Sequence, residues 1–163
     1  MRRGGVSRGA AIRKKLRAMA HRVVLGAESV VSKTGSECSD ISVWQCFAAL
    51  ASGGTTVIYP DAVILEPARL IDSLHRDRVT ALQFVPSYLA TFLGALERHA
   101  APAFPHLDTL LTIGDTLPPA TAQAWLRLHP AVRLTHAYGP THASAAVPTH
   151  RLAPPPRGPA IPL

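Results

Sequence analysis

Short β-branched and apolar runs alternate with longer stretches whose apolar positions recur every three or four residues, and this alternation fills most of the chain. Val30 and Val31, within 28–33, predict a short strand. Ser39 or Asp40 stands where it can cap a helix whose apolar positions Val43, Trp44, Phe47 and Leu50 recur at helical spacing. Gly53-Gly54 predicts its end, and the run Thr55-Thr56-Val57-Ile58-Tyr59 predicts a strand stopped by Pro60-Asp61. Pro67 suits a first helical turn, with Leu70, Ile71 and Leu74 as one stripe. Residues 80–85 predict a strand. Pro86 then opens a helix with Leu89, Phe92, Leu93 and Leu96 on one face. After a proline-marked linker at 100–105, strand 109–113 precedes a helix begun by Pro118-Pro119 that carries Trp125, Leu126 and Leu128 and ends before Pro130. Residues 132–137 predict a further strand and 144–149 one more.

Strand and helix joined by a few residues, over and over, is the pattern of βαβ units. Right-handed crossovers then give an α/β fold with a mainly parallel β-sheet flanked by helices. Ligands of such sheets gather at the carboxyl ends of the strands. Three segments are expected: a basic, partly helical leader at 1–22, a core at 23–152, and a proline-rich extended tail at 153–163.

Composition adds limits. Hydrophobic residues at 47% and charged residues at 17% of 163 fit a folded chain with a real core. No apolar stretch approaches the roughly 18 residues that span a bilayer, so no membrane partner is expected. The net charge of +7 raises nucleic acid as a partner. However, the bases crowd the first 22 residues without interleaved aromatic rings, which argues for a solvated segment over a stacking platform. Val23-Val24-Leu25 is too short for a secretory core, and Cys38 and Cys46 have neither metal nor disulfide-framework spacing, so a reducing cytoplasm is the expectation.

Two loops at strand carboxyl ends carry candidate chemistry. In Gly114-Asp115-Thr116-Leu117-Pro118-Pro119, glycine lets a flat ligand approach the backbone, while Asp115 or Thr116 also suits an ordinary helix cap. In His136-Ala137-Tyr138-Gly139-Pro140-Thr141-His142, an aromatic ring and a hydroxyl flank a turn and suit a base and a phosphate. His136 and His142 have no metal-site spacing. Asp40 reads equally as a helix cap and as a carboxylate for a substrate ammonium. Thr34-Gly35-Ser36 and Ser52-Gly53-Gly54-Thr55-Thr56 lack the following lysine of a phosphate loop and read as turns.

Taken in order, these segments carry a resemblance. Ser39-Asp40-Ile41-Ser42-Val43-Trp44-Gln45 resembles the Phe-Asp-x-Ser-Val-Trp-Glu motif of nonribosomal peptide synthetase adenylation domains, members of the AMP-dependent synthetase and ligase superfamily. Gln83-Phe84-Val85-Pro86-Ser87 is similar to their Phe-Val-Pro-Ser turn, and Ile113-Gly114-Asp115-Thr116-Leu117-Pro118 to their Gly-Glu-x-Leu-Pro loop. Ala137-Tyr138-Gly139-Pro140-Thr141 matches Tyr-Gly-Pro-Thr. Arg157-Gly158-Pro159-Ala160-Ile161-Pro162 resembles the downstream Ile-Gly-Arg-Pro-Ile segment, and Gly5-Val6-Ser7-Arg8-Gly9 the stretch after the phosphate loop.

The resemblance implies part of the large subdomain of an adenylate-forming ligase, which joins ATP and an amino acid into an aminoacyl-adenylate. It implies that Asp40 holds the substrate amino group, and that Ile41, Trp44, Gln83, Leu111, Ile113, Ala137, Ala145 and Ala146 line the side-chain pocket. Gly114, Asp115, Thr116, Tyr138, Gly139 and Thr141 take the nucleotide-binding positions. ATP and Mg2+ are the family's cofactors, but His142 stands where the family has a magnesium-binding glutamate, and histidine is a poor ligand for that hard cation. His136 replaces the usual asparagine. The phosphate loop is expected before residue 1, and the ribose aspartate and catalytic lysine after Leu163, so no catalytic residue is assigned and the chain alone is expected not to adenylate. The alternatives are a non-catalytic module that binds nucleotide or docks on the rest of a synthetase and, more remotely, a basic-tailed nucleic-acid binder.

Overall fold

The computed structural model describes residues 9, 16–18, 20–21, 23–35, 40–98, 104–137 and 149–152. Strand β1 (Val30–Lys33) leads to helix α1 (Asp40–Phe47) and a 3-10 turn at Leu50–Ser52, then β2 (Thr55–Ile58) and a short helix α2 (Asp61–Ile64). Helix α3 (Pro67–Arg76), β3 (Ala81–Phe84), α4 (Pro86–Arg98), β4 (Thr109–Ile113), α5 (Pro119–Leu128), β5 (Arg133–Ala137) and β6 (Thr149–Leu152) follow. The sheet order is β2-β1-β3-β4-β5-β6, with β2 through β5 parallel and β6 antiparallel to β5.

Local chemistry explains the boundaries. Glu66 is extended before Pro67, as a residue preceding proline prefers, and proline's missing N–H is harmless in a first turn. Gly53 stops the 3-10 turn at φ 82°, a left-handed conformation that favours glycine. Gly54 lies so close to the loop before β1 that a Cβ would sit 2.5 Å from the Ser29 carbonyl oxygen and 2.8 Å from that of Gly26. The Gly-Gly pair is therefore a packing turn.

Side chains alternate between the two faces of the sheet. Leu82, Phe84, Leu110 and Leu134 point to one face, where α3, α4 and α5 bring Ile71, Leu74, Phe92 and Trp125 into the larger core cluster. Val31, Ala81, Leu111 and Ala137 point to the other, where Trp44, Ala48 and Ala49 pack with Leu16 and Val23. The basic segment at the start of the chain thus adds a side chain to the second core.

Some expectations change. The stripe Val43, Trp44, Phe47 and Leu50 is not one buried face: Trp44 is buried, but Val43, Phe47 and Leu50 are 39%, 52% and 58% exposed. Helix α1 instead buries Ser42, Trp44 and Gln45. Leu128 is also exposed, because α5 turns its Ala122–Trp125 side to the sheet. Helix α2 has no counterpart in the sequence pattern, and the last strand is described at 149–152 in place of 144–149, of which residues 144–148 lie outside the described set. The tail at 153–163 lies outside it too.

Rings close the outer end of the larger core: Phe104 stacks on His75 at 4.5 Å, and His129 lies 4.5 Å from Trp125 and 5.4 Å from Phe104. Burial, and secondarily the charge of His75, pushes the His129 pKa below its ordinary value. The unfolded chain then binds this proton at higher pH than the folded one. The His129 contribution is complete above about pH 6.5 and is lost as pH falls through the lowered folded pKa. His129→Phe keeps a ring and removes the titrating group. Its melting temperature should fall less steeply than that of the unmodified chain between about pH 7 and pH 5, as scanning calorimetry would read.

Candidate functional site

The chain runs from β1 outward to β2 and then returns past β1 to β3. Strand order therefore reverses between β1 and β3, and the crevice beyond the carboxyl ends of those strands is where an open α/β sheet takes a ligand. One buried side chain ties that crevice together. Gln45 Oε1 accepts from the backbone N–H groups of Thr34 at 3.1 Å and Gly35 at 2.7 Å, just past β1. Gln45 Nε2 donates to the Gln83 carbonyl in β3 at 3.2 Å and to Thr34 Oγ1 at 3.4 Å. The Thr34 hydroxyl donates to the same carbonyl at 3.3 Å. Two N–H donors on one amide oxygen fix which end of the amide is oxygen.

Helix α1, so anchored, sets Trp44 into the smaller core cluster with Leu111 and Ala137, and Ile113 packs on its border. Gln83 is on the same face by alternation and opposite Leu111 in register, while Ile113 stands opposite Ala137. The candidate pocket residues Trp44, Gln83, Leu111, Ile113 and Ala137 thus share one side of the sheet near its carboxyl edge. Asp40 opens α1 and Ile41 follows it. Ala145 and Ala146 lie outside the described residues.

Past β4, Gly114 takes φ 102°, which only glycine adopts without strain. Asp115 does not cap the next helix: its Oδ1 accepts from the Thr116 N–H at 2.7 Å, and Pro118 occupies the cap of α5 with no side-chain bond. Tyr138, Gly139, Thr141 and His142 lie outside the described residues. His136 points to the helix-covered face away from the pocket residues, and its Nδ1 is 3.0 Å from Thr112 Oγ1.

The sequence reading misses two polar residues. Gln45 figures there only as the end of a motif; the available signal is its place between Trp44 and Ala48 on the inward stripe, where a polar side chain needs partners. Lys33, the last residue of β1, is buried on the pocket side of the sheet and has a partner of its own.

The sequence profile of the AMP-binding enzyme family matches residues 10–162. The chain belongs to this family. Among characterised relatives it is similar to the vanchrobactin synthetase VabF of Vibrio anguillarum, at 31% identity over 84% of the chain and 5% of that protein. It is also similar to the phosphinothricin tripeptide synthetase PhsB of Streptomyces viridochromogenes, at 38% identity over 68% of the chain and 9% of that protein. The chain thus spans less than a tenth of these two relatives. Among solved structures, IdnL1 superposes with a TM-score of 0.76 at 26% identity, over 91% of the chain and 30% of that structure. The Vibrio cholerae adenylation domain AlmE, solved with glycyl-adenosine-5'-phosphate, shares the fold with a TM-score of 0.79 at 23% identity, over 94% of the chain and 28% of AlmE. The family member described here therefore corresponds to one portion of an adenylation-domain fold. Among the described residues, no helix is long and apolar enough to cross a membrane.

Gln45→Ala would strand two N–H groups and weaken the satisfaction of one carbonyl at the switch point. A loss of about 3 kcal/mol in urea unfolding is expected. Gln45→Glu should lose less, since a carboxylate still accepts both N–H groups, though it no longer donates to the Gln83 carbonyl or to Thr34 Oγ1.

Proposed function

We propose that this chain supplies the amino-acid pocket and the adenine-facing edge of an AMP-forming adenylation domain, and that it does not adenylate by itself. The reading is carried by one observation: Trp44, Gln83, Leu111, Ile113 and Ala137 converge on one face beside the switch point of a sheet whose family binds AMP. Asp40 would hold the substrate ammonium, with Ile41, Ala145 and Ala146 completing the pocket. Gly114, Asp115 and Thr116 suit an adenine edge, because the positive-φ glycine leaves the backbone open to a flat ring. Tyr138 would stack on that ring, while Gly139 and Thr141 would approach the α-phosphate.

ATP is the nucleotide such a domain consumes, and when bound it would supply the adenylyl group that activates the carboxylate, with pyrophosphate as the leaving group. This chain's residues would bind and orient the amino acid against it. Magnesium fits less well. His142 stands where the resembled family has a glutamate, and an imidazole is a poor donor for that hard cation. The remainder of a synthetase is the partner that would contribute cationic groups.

Amino-acid-dependent exchange of pyrophosphate into ATP should stay at background for the chain alone with all twenty amino acids. A non-hydrolysable sulfamoyl analogue of an aminoacyl-adenylate should still bind in calorimetry. Exchange above background would overturn the claim of inactivity, and failure of every analogue to bind would overturn the pocket.

A synthetase-docking role is the second reading, favoured by exposed Val43 and Phe47 on α1 and exposed Leu50 in the 3-10 turn that follows it. The remainder of the adenylation fold is the occupant they suit, given that the chain spans 28–30% of the AlmE and IdnL1 structures. Phe47→Lys should abolish co-purification with a separately produced remainder of such a domain without altering the circular dichroism of the chain.

A further inference from the structure

The two glutamines at the switch point are treated very differently by the fold. The Gln45 amide is saturated by backbone groups and Thr34. Gln83, 2% exposed, has a buried side-chain Oε1 with no hydrogen-bond partner among the described residues. On the same face, Trp44 is 5% exposed and its indole Nε1 is likewise buried without a partner among them. Trp125 Nε1 and His129 Nε2 are also buried without partners among the described residues, but their rings pack at 4.5 Å in the opposite, filled core, which holds no candidate substrate residue.

Leaving a buried acceptor and a buried donor unmade is unfavourable, and a ligand that offers the complement of each removes both penalties. The rest of the described lining, Leu111, Ile113 and Ala137, is apolar and offers no counter-charge. Lys33, on the same side of the sheet, is already engaged. A carboxylate could accept from the Trp44 N–H but has nothing to donate to Gln83 Oε1, and an ammonium has the converse defect.

We infer that the pocket selects an amino acid whose uncharged side chain carries both a donor and an acceptor, a primary carboxamide or a hydroxyl. Gln83 Oε1 receives the donor and Trp44 Nε1–H meets the acceptor. This rests on the amino-acid site proposed above and names its substrate class.

The test uses the full chain and sulfamoyl analogues of aminoacyl-adenylates in matched pairs: L-glutaminyl against L-norleucyl, and L-threonyl against L-valyl, with L-glutamyl as the charged control. In at least one pair the polar member should bind about tenfold more tightly than its apolar counterpart, and more tightly than the glutamyl analogue. Gln83→Leu removes the acceptor and Trp44→Phe the donor, so each should level the preferred pair. Equal or tighter binding of both apolar members, or preference for the glutamyl analogue, overturns the inference while leaving the amino-acid site intact. Binding of no analogue overturns the site and the inference with it. A uniform loss across all analogues in both variants marks a merely structural role and overturns the assignment of Gln83 and Trp44.

Discussion

The site face depends on a single buried amide. A parallel sheet ends at its carboxyl edge in backbone groups that have no further strand to bond, and at the switch point two such ends, β1 and β3, lie side by side. Gln45 reaches both from α1, accepting from two N–H groups beyond β1 and donating to a carbonyl of β3. Because a neutral amide both donates and accepts, it bonds the two ends without burying a charge. It also fixes the rotation of α1, and with it the neighbouring Trp44 and the helix start at Asp40. The positions of Trp44 and Gln83 follow from that strap, since one adjoins the amide along α1 and the other supplies the carbonyl.

The two faces of the sheet are built for different tasks. Toward α3, α4 and α5 the strands present Leu and Phe against large rings, and the space is filled. Toward α1 they present Ala81, Gln83 and Ala137, smaller or polar residues, together with Leu111, against Ala48 and Ala49. Helix α1 carries apolar residues on two sides, with Trp44 inward and Val43 and Phe47 outward, and Leu50 of the following 3-10 turn is exposed as well. A helix with apolar residues on opposite sides is normally covered on both. That agrees with a chain that matches about a third or less of the structures it superposes on.

Much of this is legible in the chain. The alternation of β-branched runs with 3.6-period stretches specifies the strands and the long helices, because each residue's secondary structure there is dictated by its immediate neighbours. The ordered motifs point to the adenylation fold. The period of two along a strand already implies that Leu111 and Ile113 share a side. Helix α2, only four residues long, and the outward turn of Val43, Phe47 and Leu50 are not legible, since helical spacing shows that apolar residues share a stripe but not which stripe meets the sheet.

By itself, then, the sequence determined the class of fold, the family and the segments in which site residues fall, all of which rest on local pattern and ordered motifs. Tertiary structure alone decided that β1 and β3 adjoin at a reversal of strand order, that Gln45 is spent on backbone while Gln83 Oε1 is buried without a partner among the described residues, and that His136 turns away from the face that carries Trp44 and Leu111. Each of these is a matter of which distant groups become neighbours. Two glutamines are chemically identical in a sequence, and only the surrounding hydrogen-bond partners make one a brace and leave the amide oxygen of the other unpaired among the described residues.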